Sequence, residues 1–248
     1  MSKIPRIIHF CWLSGDPYPN KIRRCIESWH RCLPGYEIRL WDFNRFPRGK
    51  SRWVDEAFGS RKYAFAADYI RAYALYHEGG IYLDSDVETL KNFDDFLDLP
   101  YMLGRESDSG FIEAAVMGAP AGLPIFKSLL DYYDSNSFIL ADGTFNTTAL
   151  PRLLESLPGW PAKRVDIDSP EEMGDDKNTL YLFKSDFFSP IHLVTMEDSR
   201  TARTVAVHHF AGTWNSPYQR LKKRLQCIIG PKPTAIIQRV KRFIKTGK

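Results

Sequence analysis

The sequence predicts an α/β fold: a mixed, mostly parallel sheet with helices on both faces. Three observations predict it. Strand-like and helix-like segments alternate from Arg6 to Leu83, the helix-like ones carry apolar residues at helical spacing, and the strand-like ones are short and closed by turn signals. Arg6 to Trp12 reads as a buried strand ended by the turn Ser14-Gly15-Asp16-Pro17. Asn20 is placed to cap a helix running to about Cys32, with Ile22, Ile26 and Trp29 on one face. Pro34-Gly35 breaks that helix, and Tyr36 to Trp41 alternates as a second strand. A further helix spans Tyr63 to Glu78 and is closed by Gly79, after which Ile81 to Leu83 enters the sheet. In the second half Ile112 to Met117 reads as a strand, Ile125 to Tyr133 and Thr147 to Leu157 as helices, and Thr204 to Phe210 as a late strand. Pro158 to Asn178, rich in Pro, Gly and Asp, reads as loop.

A chain of 248 residues with 44% hydrophobic and 26% charged residues is ordinary for a globular domain and long enough to bury a sizeable core. Cys11, Cys25, Cys32 and Cys227 have neither the spacing of a zinc site nor that of a disulfide framework, and read as reduced packing residues. No apolar run approaches the ~20 residues of a membrane span. The first ten residues carry no signal-peptide core. The expectation is a cytoplasmic protein.

Charge divides the chain. Gln219 to Lys248 holds ten Lys or Arg and no Asp or Glu, while residues 1–218 hold 24 basic against 30 acidic residues. The division predicts a body at 1–218 and a basic helical tail at 219–248. In the tail Ile236, Ile237, Val240, Phe243 and Ile244 share a helical face, with Arg239, Lys241, Arg242 and Lys245 around the rest. Such a helix suits an anionic membrane interface, so peripheral attachment to the inner membrane is expected of the tail. The acidic body argues against a nucleic-acid groove.

The chemistry concentrates in Gly79-Gly80-Ile81-Tyr82-Leu83-Asp84-Ser85-Asp86. In extended backbone Asp84 and Asp86 would face one way, roughly 7 Å apart at ~3.3 Å per residue, with Ser85 facing the other. Two hard oxygen ligands in a cleft suit Mg²⁺ or Mn²⁺ together with phosphate. Gly79-Gly80 lets backbone approach closely or turn sharply. There is no Gly-rich dinucleotide fingerprint and no P-loop, so a nucleotide would have to be held in another way.

Three further elements frame the pair. Asp68 and Arg71 share a helix face with Ala64, Ala67 and Leu75, where a charged pair either enters a cleft or is buried. In a cleft, Asp68 would accept sugar hydroxyls while Arg71 screens phosphate or orients the carboxylates. Trp12, at a strand end, offers an indole for stacking on a base. A histidine from Val205 to Trp214 completes a mixed nitrogen and oxygen metal site, and strand alternation lets only one of His208 and His209 face it.

These segments resemble the D-x-D glycosyltransferases of family 32. The matching text is I-P-R-I-I-H-F-C-W, then A-F-A-A-D-Y-I-R-A-Y-A-L-Y-H-E-G-G-I-Y-L-D-S-D-V-E, then H-H-F-A-G-T-W, in order over roughly residues 4–215. The catalytic domains of large clostridial glucosylating toxins are similar at greater distance. The resemblance implies a GT-A-type single domain, a nucleotide-sugar donor, a Mn²⁺ or Mg²⁺ cofactor and a glycan acceptor in capsule or lipopolysaccharide synthesis; a lipid-linked acceptor at the inner leaflet would suit the basic tail. Carried over by position, it implies Trp12 on the base, with Tyr82 and Ser85 also at the donor, and Asp68 and Arg71 at sugar and phosphate. Asp84 would touch ribose or metal, Asp86 would ligate the metal, and Trp214 would cover the phosphates. For the third ligand His209 is preferred, because His209-Phe-Ala-Gly is similar to the metal histidine of related retaining galactosyltransferases. One departure is Asn146-Thr147-Thr148, where related sequences often carry Gly-Pro. A nucleotidyl- or phosphotransferase, a non-catalytic nucleotide-sugar-binding module and an effector that glycosylates a protein side chain are the other readings.

Overall fold

The computed structural model describes residues 3–107, 109–193 and 195–211. The tail, the predicted boundary at residue 218 and Trp214 lie outside the described residues.

The chain forms β1 (Ile7–Cys11), α1 (Asn20–Cys32), β2 (Glu37–Trp41), α2 (Arg52–Gly59), α3 (Tyr63–Glu78), β3 (Gly80–Leu83) and β4 (Val87–Thr89) in its first half. The second half adds β5 (Met102–Arg105), β6 (Ile112–Ala119), α4 (Pro124–Ser135), α5 (Leu150–Ser156), β7 (Lys163–Ile167), β8 (Thr179–Phe183) and β9 (Ala206–His208). Seven strands make one sheet in the order β2-β1-β3-β6-β5-β8-β7. Every neighbouring pair is parallel except those of β6, which runs against both β3 and β5. The sheet is mixed and mostly parallel, as the alternation of elements predicts. One face carries α2 to α5 over Trp53, Tyr69, Leu75 and Phe126. The other carries α1 and a separate two-stranded ribbon of β4 and β9, around Trp29, Phe93 and Phe188.

Several elements differ from expectation. Pro19, not Asn20, stands at the N-cap of α1, and no side chain caps that helix. The helix α2 was not anticipated; Ser51 caps it by accepting the Val54 N–H. The predicted loop from Pro158 to Asn178 contains β7, which among the described residues is an edge strand paired with β8.

The junction of α3 and β3 fixes the site. Gly79 has φ +64°, and a Cβ there would lie 2.6 Å from the Ala121 nitrogen; Gly80 has φ +102°, and a Cβ would lie 2.7 Å from the Ile7 carbonyl. Neither position tolerates a side chain. His9 braces the junction from β1. Trp41 donates its indole N–H to His9 Nδ1 at 3.0 Å, leaving the proton on Nε2, which donates to the Gly79 carbonyl at 2.7 Å. Gly80→Ala is expected to lower unfolding stability by about 3 kcal/mol through backbone strain, measured by urea denaturation. An unchanged midpoint would mean that β1 and β3 relax apart at no cost.

Candidate active site

Because β1 and β3 are parallel, Trp12 and the D-x-D segment leave the sheet at the same edge. The Asp84 N–H donates to the Ala115 carbonyl on β6 at 2.9 Å, the last sheet-like bond of this segment. The Val87 N–H then donates to the Asp84 carbonyl at 2.9 Å and closes a turn over Asp84 to Val87. The two carboxylates therefore converge through a turn, not through the pleat of an extended strand. Ser85 is its half-buried second residue.

The ribbon supplies the third group. Val87 pairs with His208 in the β4–β9 register, so β9 delivers His208 beside the turn. Ligand atoms of Asp84, Asp86 and His208 all lie within 4.8 Å of one another. His208 Nε2 is 3.6 Å from Asp86 Oδ1, and Asp86 Oδ2 accepts the Ala211 N–H at 2.5 Å. Strand alternation sends the next residue the other way. His209 Nε2 is 2.9 Å from Glu88 Oε2, away from the Asp pair, so the preference for His209 is corrected to His208. The motif likeness that favoured His209 carried no register, and register decides which of two adjacent histidines faces the cluster.

Arg71 lies behind Asp84. Its guanidinium donates to Asp84 Oδ1 at 2.7 Å and to the Ala114 carbonyl, and lies 3.4 Å from Asp68 Oδ1. Its carbon sits 4.4 Å over the Tyr82 ring. Tyr82 is only 1% exposed, so the expected donor contact is corrected: the ring faces inward and supports Arg71. Trp12 is half-buried, packs edge-on against Tyr18 at 5.1 Å between ring centres, and donates its indole N–H to the Asp16 carbonyl at 2.7 Å.

Two residues passed over in the sequence complete the surroundings. Glu113 on β6 is buried, with Oε1 3.5 Å from His208 Nδ1. Its signal was present, as the one charged residue between Ile112 and Ala119. Phe210 packs against His208 at 3.9 Å between ring centres with the planes tilted by 36°, its φ is +47°, and nothing in the sequence marks that conformation.

The electrostatics follow from burial among like charges. Burial raises Asp68 to about 7 against the pull of Arg71, and raises Asp84 against Arg71 and His208. For His208 burial works downward, but the carboxylates of Asp86 and Glu113 outweigh it and lift the imidazole to about 9. Burial would raise Glu113 too, yet His208 holds it below its ordinary value. Burial draws His209 down despite Glu88. Three carboxylates around one imidazole carry excess negative charge, and two carboxylate oxygens with one imidazole nitrogen are a donor set that fits Mn²⁺ or Mg²⁺.

Residues 19–103 match the family described as "Glycosyltransferase sugar-binding region containing DXD motif". Over these residues the chain is similar to the sugar-binding region of DXD glycosyltransferases. It is 35% identical over 131 residues to inositol phosphoceramide mannosyltransferase 3 of Schizosaccharomyces pombe, a match covering 51% of this chain and 36% of that protein. It is 29% identical over 155 residues to an uncharacterized glycosyltransferase of Acanthamoeba polyphaga mimivirus, covering 58% of this chain and 60% of that one. The chain thus spans between about a third and three fifths of the length of these curated relatives. Among solved structures, a glycosyltransferase involved in glycosylation of the major capsid of PBCV-1 aligns with a TM-score of 0.47 at 14% identity, over 90% of this chain and 99% of that one. No helix among the described residues is long and apolar enough to cross a membrane.

Proposed function

We propose that this protein is a DXD glycosyltransferase that moves a hexose from a nucleotide-sugar to a glycan acceptor of the cell surface, in a metal-dependent reaction that retains the anomeric configuration. The observation that carries the reading is the convergence of Asp84, Asp86 and His208 at the edge where β1 and β3 end. Mn²⁺ or Mg²⁺ held by these three would act as Lewis acid on the diphosphate leaving group. The protein's own groups do the rest. Trp12 offers an indole to the base at the same edge. Arg71, 5% exposed at its side chain and bonded to Asp84, orients that carboxylate from behind in preference to meeting phosphate. Asp68, beside Arg71, would accept a hydroxyl of the donor sugar. In front-side attack an acceptor hydroxyl oxygen bonds to the anomeric carbon as the bond to the diphosphate breaks. The hydroxyl proton passes to the departing phosphate oxygen.

An open groove of about 690 Å³ lies beside the N-terminal end of β6, lined by Phe111, Phe145, Asn146, Thr148 and Arg152 among others. Aromatic faces and hydroxyl or amide groups together suit a saccharide, and we assign the acceptor to this groove. The mannosyltransferase names of the fungal relatives bring mannose and an inositol phosphoceramide acceptor into the first rank to test, beside UDP-sugars.

The deciding experiment is Mn²⁺-dependent hydrolysis and transfer with UDP-galactose, UDP-glucose, UDP-N-acetylhexosamines and GDP-mannose. One donor should turn over and lose that turnover in EDTA. Binding without turnover of any donor would favour the non-catalytic module. The basic segment 219–248 is proposed to hold the enzyme on anionic membranes. Co-sedimentation with phosphatidylserine vesicles should drop for a 1–218 truncation, and equal binding by both forms would remove this proposal.

A further inference from the structure

Glu113 interrupts an apolar strand, and the residue is 1% exposed. A carboxylate buried this deeply needs partners, and an apolar residue of similar size would serve the core better. Its oxygens are unequally used. Oε1 accepts the Ala115 N–H at 2.7 Å and lies 3.5 Å from His208 Nδ1, while Oε2 has no hydrogen-bond partner. His208 Nδ1 is equally buried and also has none. The Glu113 carboxylate meets this unpartnered nitrogen through Oε1, across the gap between β6 and β9.

The backbone accounts for this placement. The β5–β6 register shifts between the pairs Leu103–Met117 and Arg105–Ile112, and Glu113 lies within the shifted stretch of β6. Such irregularities re-aim side chains. The shifted segment also presents the Ala114 carbonyl to Arg71 and the Ala115 carbonyl to the Asp84 N–H. One stretch of β6 therefore touches Arg71, Asp84 and His208. Phe210 closes the imidazole from its face, which leaves the ring edge-on between Glu113 and Asp86.

We propose that Glu113 is a positioning residue for His208. Its carboxylate accepts a hydrogen bond from His208 Nδ1–H and thereby holds the Nε2 lone pair toward the Asp84–Asp86 pair. A carboxylate behind a ligating imidazole fixes both tautomer and ring angle, and its loss weakens metal affinity by roughly 10–100-fold. The inference rests on the metal-site reading of the preceding subsection.

The test is Mn²⁺ affinity by electron paramagnetic resonance on the full chain, with melting temperatures recorded in EDTA. Glu113→Ala should weaken Mn²⁺ binding by about 10-fold or more. Glu113→Gln keeps a hydrogen-bond acceptor and should fall between. Combining Glu113→Ala with His208→Ala should weaken binding little beyond His208→Ala alone, because the two act through one contact. In the wild-type chain loaded with diamagnetic Mg²⁺, ¹⁵N spectra should show the His208 proton on Nδ1. A proton found on Nε2 overturns the proposal, even if the alanine variant fails to fold. So does Glu113→Ala affinity within twofold of wild type, or losses that simply add. Absence of Mn²⁺ binding by the wild type would remove the metal-site reading itself. Binding lost in His208→Ala but kept in Glu113→Ala would remove only the role of Glu113.

Discussion

Asp86→Asn is expected to cut Mn²⁺-dependent turnover by about three orders of magnitude, or roughly 4 kcal/mol of transition-state stabilisation. The substitution is close to isosteric, and its amide oxygen can still accept the Ala211 N–H that Asp86 Oδ2 accepts at 2.5 Å. The turn and the backbone leaving β9 should therefore survive. What disappears is a formal charge on the oxygen 3.6 Å from His208 Nε2, at the centre of the three-ligand cluster. Asp84 cannot replace it, because Oδ1 of Asp84 already accepts from Arg71 at 2.7 Å. Kinetics with saturating donor across a Mn²⁺ titration would separate the loss of affinity from the loss of turnover. Near-normal turnover by this variant at ordinary Mn²⁺ would sink the assignment of the site.

Much of this site was legible because its parts lie close in sequence. The helix from Tyr63, its stop at Gly79 and the strand into Asp84 are one continuous passage, and local rules read it correctly. What failed depends on distant pairing. Alternation says that His208 and His209 face opposite ways, but only the pairing of Val87 with His208, on a strand far along the chain, says which one faces the carboxylates. Tyr82 is flanked by Ile81 and Leu83, and a strand apolar on both faces gives no local clue to which side is the cleft. The helix Arg52–Gly59 is eight residues long, too short for periodicity to declare itself. The strand Lys163–Ile167 is a largely unburied edge, so its pattern resembles loop. Glu113 was legible in principle, since a lone carboxylate in an apolar strand has to be explained.

Arg71→Ala is expected to be the most destabilising change at the site, by about 3–5 kcal/mol at pH 8, which lowers the melting temperature by on the order of 10 °C. The guanidinium compensates Asp68 and Asp84, and its removal leaves both carboxylates buried without a cation. The effect should depend on pH, and the sign follows from proton binding. Asp68 is raised to about 7 and Asp84 is raised as well, so the folded chain keeps protons that the unfolded chain has released. Stability linked to these groups is present in full below the ordinary carboxylate range and is lost as pH rises through the raised values. Without Arg71 both groups rise further, and the window of loss extends upward. The deficit of the variant relative to wild type should therefore be largest at pH 8 and shrink at pH 5, where the carboxyls are neutral in the folded variant. Thermal melts of both proteins in EDTA at the two pH values would measure it. A deficit equal at both would mean that Arg71 acts through its contacts with Tyr82 and the Ala114 carbonyl, not through charge. Arg71→Lys should recover only part of the loss, because an ammonium cannot span Asp84, Asp68 and that carbonyl with the planar fork that holds all three.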